Sequence, residues 1–181
     1  LFTSGGTESD NHALLAVAES LSSRGKHIVT SAIEHQAVLS TCRYLEERGY
    51  LVTYTPVDRD GLLDPLAVAS ALTDETILIT INMANNVVGT LQPIAEVARL
   101  ARERGILMHS DAIQALGKVP VDVRELGVDL LSVSAHKLYG PKGAGALFIR
   151  RGLELPPLIH GGHQERRRRA GTENVPAIAG F

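Results

Sequence analysis

Tryptophan is absent and only 4% of the 181 residues are aromatic, so the chain has few of the flat side chains on which single-stranded nucleic acid stacks. Its single cysteine, Cys42, excludes an internal disulfide framework and fits a reducing compartment such as the cytoplasm. No apolar run approaches the ~20 residues needed to cross a bilayer. An excess of one charge is also missing. With 18 basic and 20 acidic side chains the formal net charge is −2, which argues against a general polyanion-binding surface. The 17 Gly and 8 Pro follow no period and 44% of the residues are hydrophobic, which excludes collagen-like and disordered classes. What remains is the composition of one globular domain, long enough to bury about 70% of the surface its unfolded chain exposes.

The chain opens on Leu1-Phe2-Thr3-Ser4 with neither an initiator Met nor a signal peptide, and it stops at Ile178-Ala179-Gly180-Phe181 without a breaker. Both ends read as cuts through a longer protein.

Short β-branched, apolar runs predict strands at Leu1–Ser4, His27–Ser31, Leu51–Val57, Thr76–Asn82, Ile106–Asp111, Leu130–Ser134 and Gly145–Arg150. Helical spacing of apolar residues predicts helices between them. Asn11–Ser23 carries Ala13, Leu14, Val17, Ala18 and Leu21, with Gly25 as a stop. Gln36–Arg48 carries Val38, Leu39, Cys42 and Leu45, which puts Cys42 in the core. A third helix opens at Pro93 and runs to Gly105, and Asp64–Leu72 is a shorter one. Strand-helix alternation implies parallel strands joined by right-handed crossovers. The expected fold is a three-layer α/β/α sandwich around a mostly parallel seven-stranded sheet. Residues 1–152 form this unit, and Pro156-Pro157, Gly161-Gly162 and four consecutive arginines mark 153–181 as a connecting segment.

In open α/β sheets the ligand crevice lies at the carboxyl ends of the strands, and there the polar residues gather. The first strand ends in Ser4-Gly5-Gly6-Thr7, where glycines allow close approach and free N–H groups at a helix start attract phosphate. A simple turn with Thr7 as N-cap explains the motif equally well. Later strands lead to Glu34-His35, Asn85-Asn86, Asp111-Ala112-Ile113-Gln114 and Ser134-Ala135-His136-Lys137. Asp111 and Lys137 follow strongly apolar strands and are expected to be partly desolvated, which would make the lysine available as a neutral nucleophile toward a carbonyl. Singly, Asp111 fits a cap, Lys137 a side chain reaching solvent, and His35 a structural histidine. Jointly, a phosphate cradle, a lysine, an aspartate and a flanking histidine on successive strand ends point to pyridoxal 5'-phosphate.

The segments Ser4-Gly5-Gly6-Thr7-Glu8, Ile33-Glu34-His35, Asn85-Asn86, Asp111-Ala112-x-Gln114, Ser134-Ala135-His136-Lys137-Leu138-Tyr139-Gly140-Pro141-Lys142-Gly143 and Arg169-Ala170-Gly171-Thr172-Glu173-Asn174 resemble cysteine desulfurases. These are enzymes of the class V aminotransferase group of fold-type-I pyridoxal phosphate proteins. The last segment is similar to the branch serving iron–sulfur cluster assembly and tRNA thiolation. The resemblance implies that Lys137 carries the cofactor covalently, Asp111 pairs with its ring nitrogen, His35 stacks on the ring and Gln114 bonds its phenolic oxygen. It implies that Gly6, Thr7, Ser134 and His136 hold the phosphate and that Asn86 lies beside the ring. Thr172 would reach the phosphate of a partner subunit, making a homodimer. The implied reaction converts L-cysteine to L-alanine and passes sulfur to a protein cysteine as a persulfide, bound for an acceptor or scaffold protein. In the family that cysteine and the arginine for the substrate carboxylate lie beyond this chain, so the fragment alone is expected to be inactive.

Two positions depart from the usual pattern, Val87-Val88 where the family commonly has Glu-Ile, and Ile113 where it has Thr or Ala. The change at Val87 leaves open a related class V activity (selenocysteine lyase, aminotransferase or epimerase). An inactive dimerisation module is a further alternative. Arg166 to Arg169 are too thin a footprint for nucleic acid on an acidic chain, and His160 and His163 lack the cysteines or carboxylates of a zinc site.

Overall fold

The computed structural model describes all 181 residues. Its strands are β1 (Phe2–Thr3), β2 (His27–Ser31), β3 (Leu51–Thr55), β4 (Thr76–Thr80), β5 (Leu107–Asp111), β6 (Leu130–Ser134) and β7 (Gly145–Ile149). They form one sheet in the order β1-β7-β6-β5-β4-β2-β3. From β3 across to β6 every neighbouring pair is parallel. The sheet is thus seven-stranded and mostly parallel, as expected; the exception is β7, which runs antiparallel to both β6 and β1. The physical reason is the length of the link from Ala135 to Ala144, which is shorter than the dozen or so residues of a parallel crossover. Two reversals restore the direction, so β1 ends on the same sheet edge as β2, β4, β5 and β6.

Helices α1 (Gly6–Ser20) and α2 (Gln36–Glu46) cover one face of the sheet, and α3 (Pro65–Ala71), α4 (Ile94–Glu103) and α5 (Val123–Leu126) cover the other. On the first face Leu14, Val17, Val38 and Cys42 pack against Ile28, Leu78 and Leu130. On the second Val97 and Ala101 pack against Ile79, Met108 and Leu131. Strands β2 and β4 are buried at every position, as strands covered on both sides must be, and their polar members are paired: His27 Nδ1 with Thr76 Oγ1 at 2.7 Å, and the Thr30 hydroxyl donating to the Thr80 carbonyl at 2.9 Å. Burial pushes the Cys42 thiol up to about 12, so it stays protonated and unreactive. No helix is long and apolar enough to cross a membrane.

One boundary shift matters for the site. α1 begins at Gly6 rather than Asn11, with Gly5 as the N-cap and no side chain closing it, so the reading of Thr7 as a cap does not hold. Residues 153–181 contain no strand and lie back against this unit. Leu155 is buried in the α1 and α2 layer, the Pro156 carbonyl bonds His12 Nε2 at 3.1 Å, and Ala177 packs on Ala135 and Ala144. Glu165, Arg166 and Arg167 turn with φ of 47, 58 and 67°, so the arginine run is a tight left-handed bend and not an extended basic stripe.

Candidate active site

The shared sheet edge holds a cleft of about 570 Å³. Its floor is the entry to α1. Because Gly5 supplies no cap, the N–H groups of Gly6, Thr7 and Glu8 have no protein acceptor and face outward at the positive end of the helix. The glycines at this entry pack over the buried Ser134, and a Cβ on Gly6 would meet the Ile113 side chain at 1.9 Å. Three unpaired amides in a row form a cradle suited to phosphate.

Around it stand Asp111 at the end of β5, His35 before α2, Asn86 after β4, Gln114 after β5, and His136 and Lys137 after β6. His35 caps α2, its Nδ1 accepting the Ala37 N–H at 3.1 Å, which leaves Nε2 and the ring face to the cleft. Asn85 pins the neighbouring loop through Val87 and Val88 N–H groups and the Ile33 carbonyl, so that of the Asn85-Asn86 pair it is Asn86 that lines the cleft, together with Asn82. The Gln114 side-chain oxygen accepts Lys118 Nζ at 2.7 Å, leaving its amide N–H groups as donors. Lys137 rides on a single 3₁₀ turn, Ala135–Leu138, closed by Tyr139 at φ 63°. It is exposed, which corrects the expected desolvation. The turn carries the side chain past the end of β6, out of the apolar layer and into an open cleft.

Eight of the ten expected site residues therefore line one cavity: Gly6, Thr7, His35, Asn86, Asp111, Gln114, His136 and Lys137. Ser134 does not; its hydroxyl is buried beneath and bonds His136 Nδ1 at 2.9 Å. Thr172 borders an adjoining hollow that shares Ser4 and Gly143 with the cleft. Lys142 and Gly143 also line the cleft, and their sequence signal lay in the Gly140-Pro141-Lys142-Gly143 block without a role assigned. Asp10 was missed altogether, although it falls on the same helical stripe as Ala13, Leu14 and Val17, where a charge is out of place.

At the cleft wall and beneath it three carboxyl groups are buried, that of Asp111, which lines the cleft, and those of Asp10 and Glu34, which do not. Asp10 lies 3.7 Å from His109 Nε2, and neither of its oxygens has a hydrogen-bond partner. Burial, and then the neighbouring Asp111, raise its carboxyl well above the ordinary range. Burial pushes His109 down to about 3, so that ring is neutral. Burial also raises Asp111, opposed by the Ile113 N–H at 2.9 Å and by His35. Glu34 is pushed by burial to about 8 against hydrogen bonds from Ser31 and the Asn82 N–H. Between its ordinary 4.5 and about 8 only the folded chain holds the Glu34 proton, so this group's contribution is complete below 4.5 and is lost as pH rises through that window. Glu34→Gln should remove the loss, leaving the variant more stable than the parent at pH 8 by on the order of a few kcal/mol and similar to it at pH 4.5. Urea melts at the two pH values check this, and equal differences at both would contradict it.

The family model for aminotransferase class-V matches residues 1–181. The chain is 58% identical over 181 residues to a protein named cysteine desulfurase IscS from Dictyoglomus turgidum, covering 100% of this chain and 46% of that one. Among solved structures it superposes on one titled "NIFS-LIKE PROTEIN" with a TM-score of 0.96 and 46% identity, covering 99% of this chain and 50% of the other. It superposes on another titled "SspA in complex with cysteine" with a TM-score of 0.95 and 45% identity, covering 99% and 52%. The chain thus spans about half the length of the curated relatives it matches.

Proposed function

The chain belongs to the class V aminotransferase family, and from this we propose that it is the cofactor-binding part of a pyridoxal phosphate-dependent cysteine desulfurase. The observation that carries the reading is the convergence of an amine (Lys137), a buried carboxyl group (Asp111) and three acceptor-free amides (Gly6, Thr7, Glu8) in one cleft. These match the aldehyde, ring nitrogen and phosphate of pyridoxal 5'-phosphate. When bound, the cofactor supplies an electron sink for the bonds at a substrate α-carbon.

Each residue then has work suited to its position. The amides of Gly6 to Glu8 and the Thr7 hydroxyl bind the phosphate, with Ser134 setting His136 beside them. Asp111 would hold the proton on the ring nitrogen, and with Asp10 and Glu34 below it kept neutral by burial, Asp111 is the member of this buried trio left to carry a charge. His35 covers one face of the ring and excludes water, Gln114 donates to the phenolic oxygen, and Asn86 orients the substrate. Lys137 would hold the cofactor through its amine, and as a free amine it would move the proton at the substrate α-carbon.

In the whole protein the substrate is L-cysteine, the products are L-alanine and a protein persulfide, and the sulfur goes on to an acceptor or scaffold protein. Residues 1–152 would be the large domain and 153–181 the link to the other half. Thr172, in the hollow beside the cleft, is suited to a partner's phosphate in a homodimer, and the protein would work in the cytoplasm. The similarity to the IscS relative and to a neighbour solved with cysteine supports this choice within the family. The test is product analysis on the full-length protein given pyridoxal phosphate, L-cysteine and a thiol reductant. Alanine and sulfide in equal amounts are expected; a keto acid instead would make it an aminotransferase.

A further inference from the structure

Glu8 stands where an anion site should not have a carboxylate. It is on the first turn of α1 and lines the same cleft as Ser4 to Thr7. An uncompensated negative charge there repels phosphate and competes for the positive helix end that phosphate needs. Arg169, 161 residues further along the chain, meets it with two hydrogen bonds. Nε donates to Oε1 at 2.9 Å and Nη2 to Oε2 at 3.1 Å. The two side chains are only 20% and 12% exposed, so this pair is shielded from the screening that weakens surface ion pairs. Burial alone would raise the Glu8 carboxyl, but the hydrogen bonds from Arg169 and Ser4 outweigh it and hold the group below its ordinary value. The same Oε2 accepts the Ser4 N–H at 2.9 Å, which ties the pair to the residue that starts the cradle. Arg169 also borders the hollow containing Thr172, with Glu165 and Glu173 as its other charged neighbours.

We propose that Arg169 is a positioning residue for the phosphate cradle: its two-bond pair with Glu8 draws the carboxylate to itself and cancels its charge at the cleft wall, so that the Gly6 to Glu8 amides face an anion without a competing negative charge. The inference rests on the reading of this cleft as a pyridoxal phosphate site. It makes the cradle depend on residues from both ends of the chain, and it assigns the arginine run one member with a defined task.

The test is inorganic phosphate binding, and separately pyridoxal phosphate binding, by the full-length protein as parent, R169Q, E8Q and E8Q/R169Q. R169Q should weaken phosphate binding about tenfold or more, because a buried-side negative charge is uncovered. E8Q/R169Q should recover most of the loss, since no charge remains to cancel, and E8Q alone should bind severalfold tighter. A parent that binds no phosphate, an R169Q that binds like the parent, or a folded double variant as weak as R169Q would each overturn the proposal. Should R169Q fail to fold, E8Q decides, and weaker binding by E8Q refutes it. Phosphate binding that responds to R169Q without any cofactor adduct on Lys137 would defeat the pyridoxal phosphate reading and leave the clamp standing. A normal adduct with R169Q affinity unchanged would do the reverse.

Discussion

Lys137→Ala is expected to abolish covalent labelling of the full-length protein by pyridoxal phosphate and borohydride. The cleft contains two amines, Lys137 and Lys142, and the two differ in what precedes them. Lys137 follows β6 directly on a 3₁₀ turn, and β6 pairs with β5, which ends in Asp111, whereas Lys142 lies past the reversal at Tyr139 and Gly140. Lys142→Ala should therefore keep the label. Lys137 is exposed, so its truncation should change stability by less than about 0.5 kcal/mol, and loss of label cannot be blamed on unfolding. Mass spectrometry of the reduced, digested protein locates the modified lysine. A label that survives in Lys137→Ala, or that sits on Lys142 in the parent, would remove the central residue of the proposed chemistry.

Gly145→Ala should destabilise the fold by about 3 kcal/mol and weaken phosphate binding at the same time. A Cβ at this position would lie 2.7 Å from Gly5 Cα, 2.8 Å from the Gly5 carbonyl carbon and 2.8 Å from the Val133 carbonyl oxygen. All three are backbone atoms of strands or turns held on either side of β7, so no side chain can rotate away. The strand pair must separate, and what moves on the β1 side is the entry to the cradle. Contrast Gly6, where the close clash of an added Cβ is with the Ile113 side chain and Ser134 Cβ stays at 3.7 Å; Ile113 has rotamers to yield. Urea midpoints and phosphate affinity of Gly145→Ala measured together test this; a stable variant with a weakened cradle, or the opposite, would break the link between sheet packing and site.

The layered α/β arrangement could be read from the sequence because its cause is local. Alternation of apolar runs with helical spacing is a property of neighbouring residues, and β2 and β6 fall at the expected His27–Ser31 and Leu130–Ser134. The direction of β7 could not be read this way, since it depends on how far the Ala135 to Ala144 link can reach. Nor could the start of α1. Glycine lowers helix propensity, so Gly6 looks like a turn residue until the tertiary structure packs Ile113 and Ser134 against it at the first turn of α1.

The candidate site divides in the same manner. Residue types at strand ends were visible in the sequence, because each polar group directly follows its strand in the chain, and so Asp111, Lys137, His35 and the Gly5-Gly6 turn could be named without coordinates. Whether they face one another depends on the sheet order β1-β7-β6-β5-β4-β2-β3, which sets segments distant in the chain side by side. The exposure of Lys137, the burial of Asp10, and the meeting of Glu8 with Arg169 across 161 positions belong wholly to the tertiary structure. Local pattern chose which chemical groups this protein carries; burial and long-range pairing, which no local pattern encodes, decided which of them are charged and which share a cleft.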